Sequence, residues 1–253
     1  MSHHGHFCWY DLMTTDIAAA VAFYKSVLGW TVDDWQAKGG AMPYAHVHSA
    51  QGGIGGITLL PPELKAMGAP PYWTGYVLVD DVDATAAKAV ALGGKLHFAM
   101  DLPGTGRFAT IADPDGATIA LFKPEKDAPL HDASKPGEFN WRELMTTDNH
   151  KAFAFYQALF GWQKLDEMDM GAMGSYLLYG LDGKQFGGMM KRPPEMPVSA
   201  WGYYVMVADL DAALARATAE GGKLLNGPMP VPGPARIVHL LDPQGAFIAL
   251  VGM

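Results

Sequence analysis

Residues 7–30 read FCWYDLMTTDIAAAVAFYKSVLGW, and residues 139–162 read FNWRELMTTDNHKAFAFYQALFGW. The two stretches stand 132 positions apart and are identical at 13 of 24 positions, counted directly from the sequence. Chance does not produce a match of this length, so the chain carries an internal repeat. The fold question is therefore what structural unit this stretch begins, and what its two copies build together.

The repeated stretch predicts a strand, a capping residue and a helix. Residues 7–14 are apolar and aromatic, which favours a strand, and strand alternation puts Trp9 and Asp11 on the same face. Asp16 stands where a helix N-cap belongs, apolar residues follow at helical spacing, and Gly29 ends the helix. The corresponding residues of the second copy are Trp141, Glu143, Asp148 and Gly161.

The composition limits the class of protein and its partners. With 253 residues, 49% of them hydrophobic and 17% charged, the chain has enough apolar residues for packed domains. The net charge of −8, without any basic run, argues against nucleic acid and against an anionic membrane as partners. No signal peptide and no apolar run of about 18 residues is present, which predicts a cytoplasmic protein.

The rest of the chain predicts four modules of β-α-β-β-β order. After the first helix, strands are predicted at 31–36, 44–48 and 55–60, with a turn at 38–40. A second module follows and contains a tight hairpin turn at 113–116, with the sequence Asp-Pro-Asp-Gly. The third and fourth modules repeat the first two, and small changes in the offset between matching residues indicate insertions in loops.

A polar connecting segment divides these modules into two pairs. Residues 124–137 contain three prolines and few apolar residues, which is typical of a linker. The sequence therefore predicts a first domain at 1–123 and a second domain at 138–253.

This pattern resembles the vicinal oxygen chelate superfamily, which includes glyoxalase I, extradiol dioxygenases, and fosfomycin and bleomycin resistance proteins. The resemblance is carried by Phe23-Tyr24 followed by Leu28-Gly29-Trp30, by their second copies, by the segment at 79–83, and by two Asp-Pro-x-Gly hairpins. It implies an α+β fold in which four βαβββ modules form two half-open barrel domains. Each domain would curl an antiparallel sheet around a cavity.

The resemblance also implies a divalent metal, held in the cavity by His, Gln or Glu on the first and last strands of each module. None of the corresponding positions carries such a residue, and indole and methyl groups do not coordinate metal ions. We therefore expect no cofactor and no metal centre of the family type. The positions are Trp9, Trp141, Thr74, Gly202, Ala120, Ala249 and the ranges 55–60 and 187–191.

Asp11 and Glu143 are the candidate catalytic residues. They occupy the same repeat position on the strand face predicted to line the cavity, where a carboxylate is costly unless it is paired or hydrogen-bonded. One interpretation is a pair of ligand-orienting or general-base groups, one in each domain. The structural alternative is a bond to the backbone or to Arg107, Arg142 or Arg236.

Four tryptophans are candidate ligand-binding residues. Trp9, Trp141, Trp73 and Trp201 are predicted to form aromatic walls for a small, partly apolar or aromatic molecule. The alternative is that these indoles simply fill the protein core.

His46 and His48 support a competing metal hypothesis. They alternate on one predicted strand and share a face, so they are candidates for a divalent metal site at positions the family does not use. Three functions thus remain open: a metal-free binding protein, a glyoxalase-type lyase, isomerase or dioxygenase, or a structural or partner-binding protein. The protein is expected to be a monomer or homodimer.

Overall fold

The computed structural model describes residues 3–33 and 43–253, and in these it contains five α-helices and sixteen strands. The helices are α1 (Ile17–Leu28), α2 (Pro62–Ala66), α3 (Val82–Ala91), α4 (Asn149–Phe160) and α5 (Leu210–Ala219). The strands of the first two modules are β1 (Phe7–Thr14), β2 (Thr31–Val32), β3 (Tyr44–Ser49), β4 (Gly52–Leu59), β5 (Tyr72–Leu78), β6 (Lys95–Leu102), β7 (Gly106–Ala112) and β8 (Thr118–Pro124). The remaining strands are β9 (Phe139–Thr146), β10 (Gln163–Asp169), β11 (Ser175–Leu181), β12 (Lys184–Lys191), β13 (Ala200–Met206), β14 (Lys223–Pro230), β15 (Arg236–Leu241) and β16 (Phe247–Gly252).

The predicted α+β class and the four modules are confirmed. Each half of the sequence contributes one eight-stranded sheet, in the orders β2-β3-β4-β1-β5-β8-β7-β6 and β10-β11-β12-β9-β13-β16-β15-β14. The predicted turn at 38–40 lies outside the described residues, and of the predicted strand at 31–36 only β2 is described. The short helix α2 was not predicted from the sequence; its first residue is Pro62.

The sheets are mixed, so the expectation of antiparallel sheets was wrong. β1 pairs with β4 in parallel, β5 pairs with β8 in parallel, and the second sheet repeats both pairings. The helix after each module's first strand reverses the chain direction, and the following three-stranded meander then brings its last strand back parallel to the first. In the described residues each strand order has two free edges, so neither sheet closes on itself.

The predicted helix ends are confirmed in both copies of the repeat. The Asp16 carboxylate accepts a hydrogen bond from the amide N–H of Ala19 at 3.0 Å, and Asp148 caps α4 in the same way. Gly29 and Gly161 end α1 and α4 with φ of 71° each, a left-handed conformation that glycine adopts without steric cost.

The described chain divides into two compact units that do not follow the halves of the sequence. The first unit comprises Met1–Cys8, Thr74–Leu130 and Trp141–Gly202, and the second comprises Trp9–Trp73, His131–Asn140 and Tyr203–Met253. The second unit thus combines the first and fourth modules. Because the sheets follow the sequence halves and the compact units do not, the boundaries at 1–123, 124–137 and 138–253 stay a prediction.

A hydrogen-bonded chain in the core of the second unit joins its two modules. The Trp73 indole N–H donates to the hydroxyl of Tyr24 at 3.0 Å, and that hydroxyl donates to the Asp242 carboxylate at 3.0 Å. Asp242 also accepts from the backbone N–H groups of Gln244 and Ala246, which holds the Asp-Pro-x-Gly hairpin in shape. The two sequence signatures, the Phe-Tyr pair and the hairpin, therefore meet in one contact.

The first unit repeats this arrangement with its own residues. The Trp201 indole donates to Tyr156 at 3.1 Å, and the Tyr156 hydroxyl donates to Asp113 at 3.0 Å. Trp162 stacks against Tyr156, with 5.6 Å between ring centroids, just as Trp30 stacks against Tyr24 in the other unit. Burial raises the pKa of the Asp113 carboxyl, and the hydrogen bonds that it accepts oppose this rise.

Asp115 fixes the same hairpin to the third module in the first unit only. Its carboxylate accepts hydrogen bonds from the hydroxyl of Thr146 at 2.8 Å, from the amide and hydroxyl of Thr147, and from the hydroxyl of Ser199. Partial burial opposes ionisation, but these hydrogen bonds outweigh it and lower the pKa of Asp115 to about 2. Gln244 stands at the corresponding position of the second unit.

We expect Asp115→Asn to weaken the acid sensitivity of folding. An aspartate in an unfolded chain has a pKa of about 3.9, so the lowered folded pKa stabilises the protein above pH ~4. That contribution is lost as the pH falls through about 2, because the protonated carboxyl gains nothing from these donors. Urea unfolding midpoints between pH 2 and pH 6 should therefore fall less steeply in the variant. An unchanged slope would show that Asp115 does not contribute.

No helix in the described ranges, 3–33 and 43–253, is both long enough and apolar enough to cross a membrane.

Candidate ligand-binding site

Trp9 and Asp11 meet Tyr44 in a hydrogen-bonded cluster, which we call the Asp11 cluster. The Tyr44 hydroxyl donates to Asp11 Oδ1 at 2.6 Å, and the Trp9 indole N–H lies 2.9 Å from both Asp11 Oδ1 and the Tyr44 oxygen. Asp11 is 6% exposed, whereas the rings of Trp9 and Tyr44 are partly exposed. The cluster thus places a buried carboxylate beneath an accessible aromatic surface.

Tyr44 is held as a hydrogen-bond donor. Burial raises the pKa of Tyr44 far above its usual value, and the negative charge of Asp11 and the bond to it raise the pKa further. The hydroxyl therefore keeps its proton across the physiological range and satisfies the Asp11 carboxylate, instead of acting as a base.

A glycine makes room for the Tyr44 ring. Gly56 pairs with Asp11 on one side and with His46 on the other, in the centre of three neighbouring strands. A Cβ atom added at Gly56 would lie 2.0 Å from the Tyr44 ring, so any larger residue there has to displace the tyrosine. Tyr44 therefore fills the space that a side chain on β4 would otherwise occupy.

The second copy of the repeat builds the Glu143 cluster in the other unit. The Tyr176 hydroxyl donates to Glu143 Oε1 at 2.7 Å, and the Trp141 indole N–H donates to the Tyr176 oxygen at 2.9 Å. Glu143 is 7% exposed, and a Cβ atom at Gly188 would lie 2.2 Å from the Tyr176 ring. Burial, followed by the charge of Glu143, raises the pKa of Tyr176. Two predicted site residues in each copy are thus brought together by an unpredicted tyrosine.

The sequence contained a signal for these tyrosines that was not used. Tyr44 and Tyr176 stand 132 positions apart, the offset that also relates Trp9 to Trp141 and Asp11 to Glu143. A tyrosine that is preserved between two copies of a repeat, on a strand beside a buried carboxylate, is a candidate partner for that carboxylate.

Two of the arginines proposed as carboxylate partners bind other groups. Arg107 pairs with Asp83 at 2.7 Å and with Asp101 at 3.1 Å, and Arg236 pairs with Asp211 at 2.9 Å. Arg142 lies over the ring of Phe7, 5.1 Å from its centroid. Asp11 and Glu143 each accept a hydrogen bond from a tyrosine hydroxyl, a partner that the structural alternative did not name.

Trp73 and Trp201 do not join the Asp11 and Glu143 clusters. Trp73 is 6% exposed and Trp201 is 8% exposed, and the indole N–H of each is used by the helix tyrosine described above. On its strand, each of these tryptophans therefore faces a helix: Trp73 meets Tyr24 of α1, and Trp201 meets Tyr156 of α4. These two residues take the core-filling role that the sequence left as an alternative.

His46 and His48 have different neighbours. The exposed His46 ring lies edge-on to Trp9 and Tyr44, with centroid distances of 6.2 and 4.8 Å. His48 instead lies with its Nε2 atom 3.0 Å from a carboxylate oxygen of Asp33. Within residues 3–33 and 43–253 the structure brings no three His, Cys, Asp or Glu side chains together as a metal site.

The open mixed sheets and the four βαβββ modules define a tandem protein of the glyoxalase type. The model of the Glyoxalase/Bleomycin resistance protein/Dioxygenase superfamily matches residues 5–121 and again 138–250. The chain therefore belongs to this superfamily.

Relatives and solved structures agree with this assignment. The chain is 34% identical over 244 residues to "Putative glyoxylase CFP32" of Mycobacterium tuberculosis strain CDC 1551, covering 96% of this chain and 93% of that protein. It is 30% identical over 256 residues to the anthracycline biosynthesis protein DnrV of Streptomyces peucetius, covering 96% and 91%. The Mn(II)-bound glyoxalase from Novosphingobium aromaticivorans matches the fold with a TM-score of 0.68 at 16% identity, over 100% of this chain and 83% of that one.

The residues at the family's ligand positions do not fit a divalent metal. Trp9 uses its only polar atom as a donor within the Asp11 cluster, and Ala120 and Ala249 are fully buried methyl groups. Metal sites of this kind need imidazole, carboxylate or thiolate donors. The side chains at these positions therefore lack the ligating atoms that the metal implied by the family needs.

Proposed function

We propose that this protein binds small, partly apolar aromatic molecules through the Asp11 and Glu143 clusters, without a divalent metal. The observation that supports this is the repeated tryptophan–tyrosine–carboxylate cluster at the strand positions where the resemblance implies metal ligands. Each cluster presents partly exposed aromatic rings above a buried negative charge. Such a surface suits flat ring systems.

The name of one relative supports the same class of ligand. DnrV is named for anthracycline biosynthesis, and anthracyclines contain a flat polycyclic aromatic ring system. A hydroxylated anthraquinone is therefore a suitable probe. We also propose that the protein acts in the cytoplasm as a monomer or a homodimer.

We expect the soluble probes alizarin red S and anthraquinone-2-sulfonate to quench tryptophan fluorescence in the presence of EDTA. Trp9→Leu removes a stacking surface and a donor to Asp11, so it should weaken binding to the first cluster about tenfold. Trp141→Leu should do the same at the second cluster, and isothermal titration calorimetry would count the sites.

A suitable control is Met67→Ala, because Met67 is 81% exposed and belongs to neither cluster. It should leave both affinities unchanged. Failure of both probes to bind, or binding that requires added divalent metal, would contradict the proposal.

A second candidate function is a glyoxalase-type lyase, isomerase or dioxygenase with a divalent metal at other positions. The 34% identical relative, whose name refers to a glyoxylase, favours it. Elemental analysis of tag-free protein purified without chelator separates the two candidates. A stoichiometric metal that is lost on substituting His46 or Glu143 would support the enzyme.

A further inference from the structure

Tyr204 and His239 form a further polar pair, which has no counterpart in the other copy of the repeat. The Tyr204 hydroxyl lies 3.0 Å from Nε2 of His239, and Phe247 packs against the imidazole with 5.5 Å between centroids. Tyr204 is 3% exposed, whereas His239 is partly exposed. Because Trp201 and Tyr203 face the core, alternation puts Tyr204 on the opposite face of β13.

The corresponding residues of the other sheet are chemically different. Tyr76 matches Tyr204 at an offset of 128, but Thr110 and Thr118 match His239 and Phe247 at an offset of 129. Tyr76 instead lies among phenylalanine rings, at 6.0 Å from Phe108 and 6.3 Å from Phe122. The histidine therefore belongs to one sheet only and does not result from the duplicated fold.

The surroundings of His239 favour a neutral imidazole. Burial lowers its pKa, and its neighbours in the strand register, Asn226 on β14 and Ala249 on β16, carry no charge. A neutral imidazole donates through one nitrogen and accepts through the other. Among the described residues the structure records one hydrogen-bond partner for this ring, the Tyr204 hydroxyl at Nε2.

We propose that His239, positioned by Tyr204, is a hydrogen-bonding site for a hydroxyl group on a small aromatic ligand. A ligand hydroxyl can donate to Nδ1 in one tautomer and accept from it in the other, so this group fits the ring in either state. Phe247 supplies an apolar contact for the ring that carries the hydroxyl. This inference rests on the proposed function.

Two probes that differ only in their hydroxyl groups test this site. Alizarin red S and anthraquinone-2-sulfonate share the tricyclic ring system and the sulfonate, but only the first carries phenolic hydroxyls. With EDTA present, His239→Leu should weaken binding of alizarin red S roughly fivefold, the value of one neutral hydrogen bond. It should leave anthraquinone-2-sulfonate unchanged, and His239→Gln should restore most of the lost affinity.

The matched control is Thr110→Val, which alters the corresponding position of the other sheet and should leave the affinity for either probe unchanged. Equal losses for both probes in His239→Leu, or no loss for either, would overturn the inference and leave the proposed function standing. Failure of both probes to bind the unaltered protein would overturn both.

A measurement on the unaltered protein avoids any effect of substitution on folding. Histidine ring ¹⁵N signals report the tautomer and hydrogen bonding of each imidazole, and the His239→Gln spectrum identifies the signal of His239. Alizarin red S should shift that signal, whereas anthraquinone-2-sulfonate should not. If the ¹⁵N signal of His239 stays unchanged when either probe is bound, the proposed role of His239 is wrong.

Discussion

Gly55→Ala is expected to lower the free energy of unfolding by about 3 kcal/mol. A Cβ atom added at Gly55 would lie 2.1 Å from the backbone carbonyl oxygen of Tyr10, far inside van der Waals contact. That oxygen belongs to the neighbouring parallel strand β1 and cannot rotate away as a side chain does. Relief would require β1 and β4 to separate. Urea unfolding followed by circular dichroism measures the loss.

The adjacent residue, Gly56, provides the matched control. An added Cβ atom there meets the end of the Tyr44 side chain, which can move. Gly56→Ala should therefore cost less stability than Gly55→Ala but should separate Tyr44 from Asp11 and change probe binding. If both variants lost the same stability with unaltered binding, the proposed role of Gly56 as space for Tyr44 would be wrong.

Tyr24→Phe should lower the free energy of unfolding by about 2 kcal/mol, although it removes a single oxygen atom. The Tyr24 hydroxyl satisfies the Trp73 indole N–H and donates to Asp242, and all three residues are buried. Without it, a buried donor and a buried carboxylate each lose a partner. Tyr156→Phe should have a similar effect in the other unit, so the double variant should lose about 4 kcal/mol.

Tyr72→Phe is the control for hydroxyl removal. Burial raises the pKa of Tyr72, but in the described part of the chain the structure records no hydrogen bond to its hydroxyl. The variant should change stability by less than about 0.5 kcal/mol, as substitutions without such contacts do. Equal losses in Tyr24→Phe and Tyr72→Phe would show that the hydrogen-bonded chain contributes nothing of its own.

Much of the fold was predictable because local signals and the repeat agreed. Asp16 and Gly29 define the ends of α1 through short-range hydrogen bonding and φ, which depend on a few neighbouring residues. The grouping of the modules was not predictable in this way. The contact between Tyr24 and Asp242 joins residues 218 positions apart, and no local pattern records such a pairing.

The candidate site was predictable in part. Asp11 and Trp9 were identified by strand alternation, which is a local property, and the structure brings them together. Trp73 was assigned to the same walls although its odd position on β5 directs it to the core. His239 could not be identified from the sequence, because its partner Tyr204 is contributed by a different strand of the module.

The pairing of Tyr24 with Asp242 has a consequence for the ancestry of the gene. A half-length ancestor carrying only the first two modules would have contained a helix tyrosine and a hairpin aspartate, but in different compact units. Two such chains would have had to exchange these contacts to bury both residues. Fusion of the duplicated genes would then have turned an intermolecular association, which depends on protein concentration, into an intramolecular one.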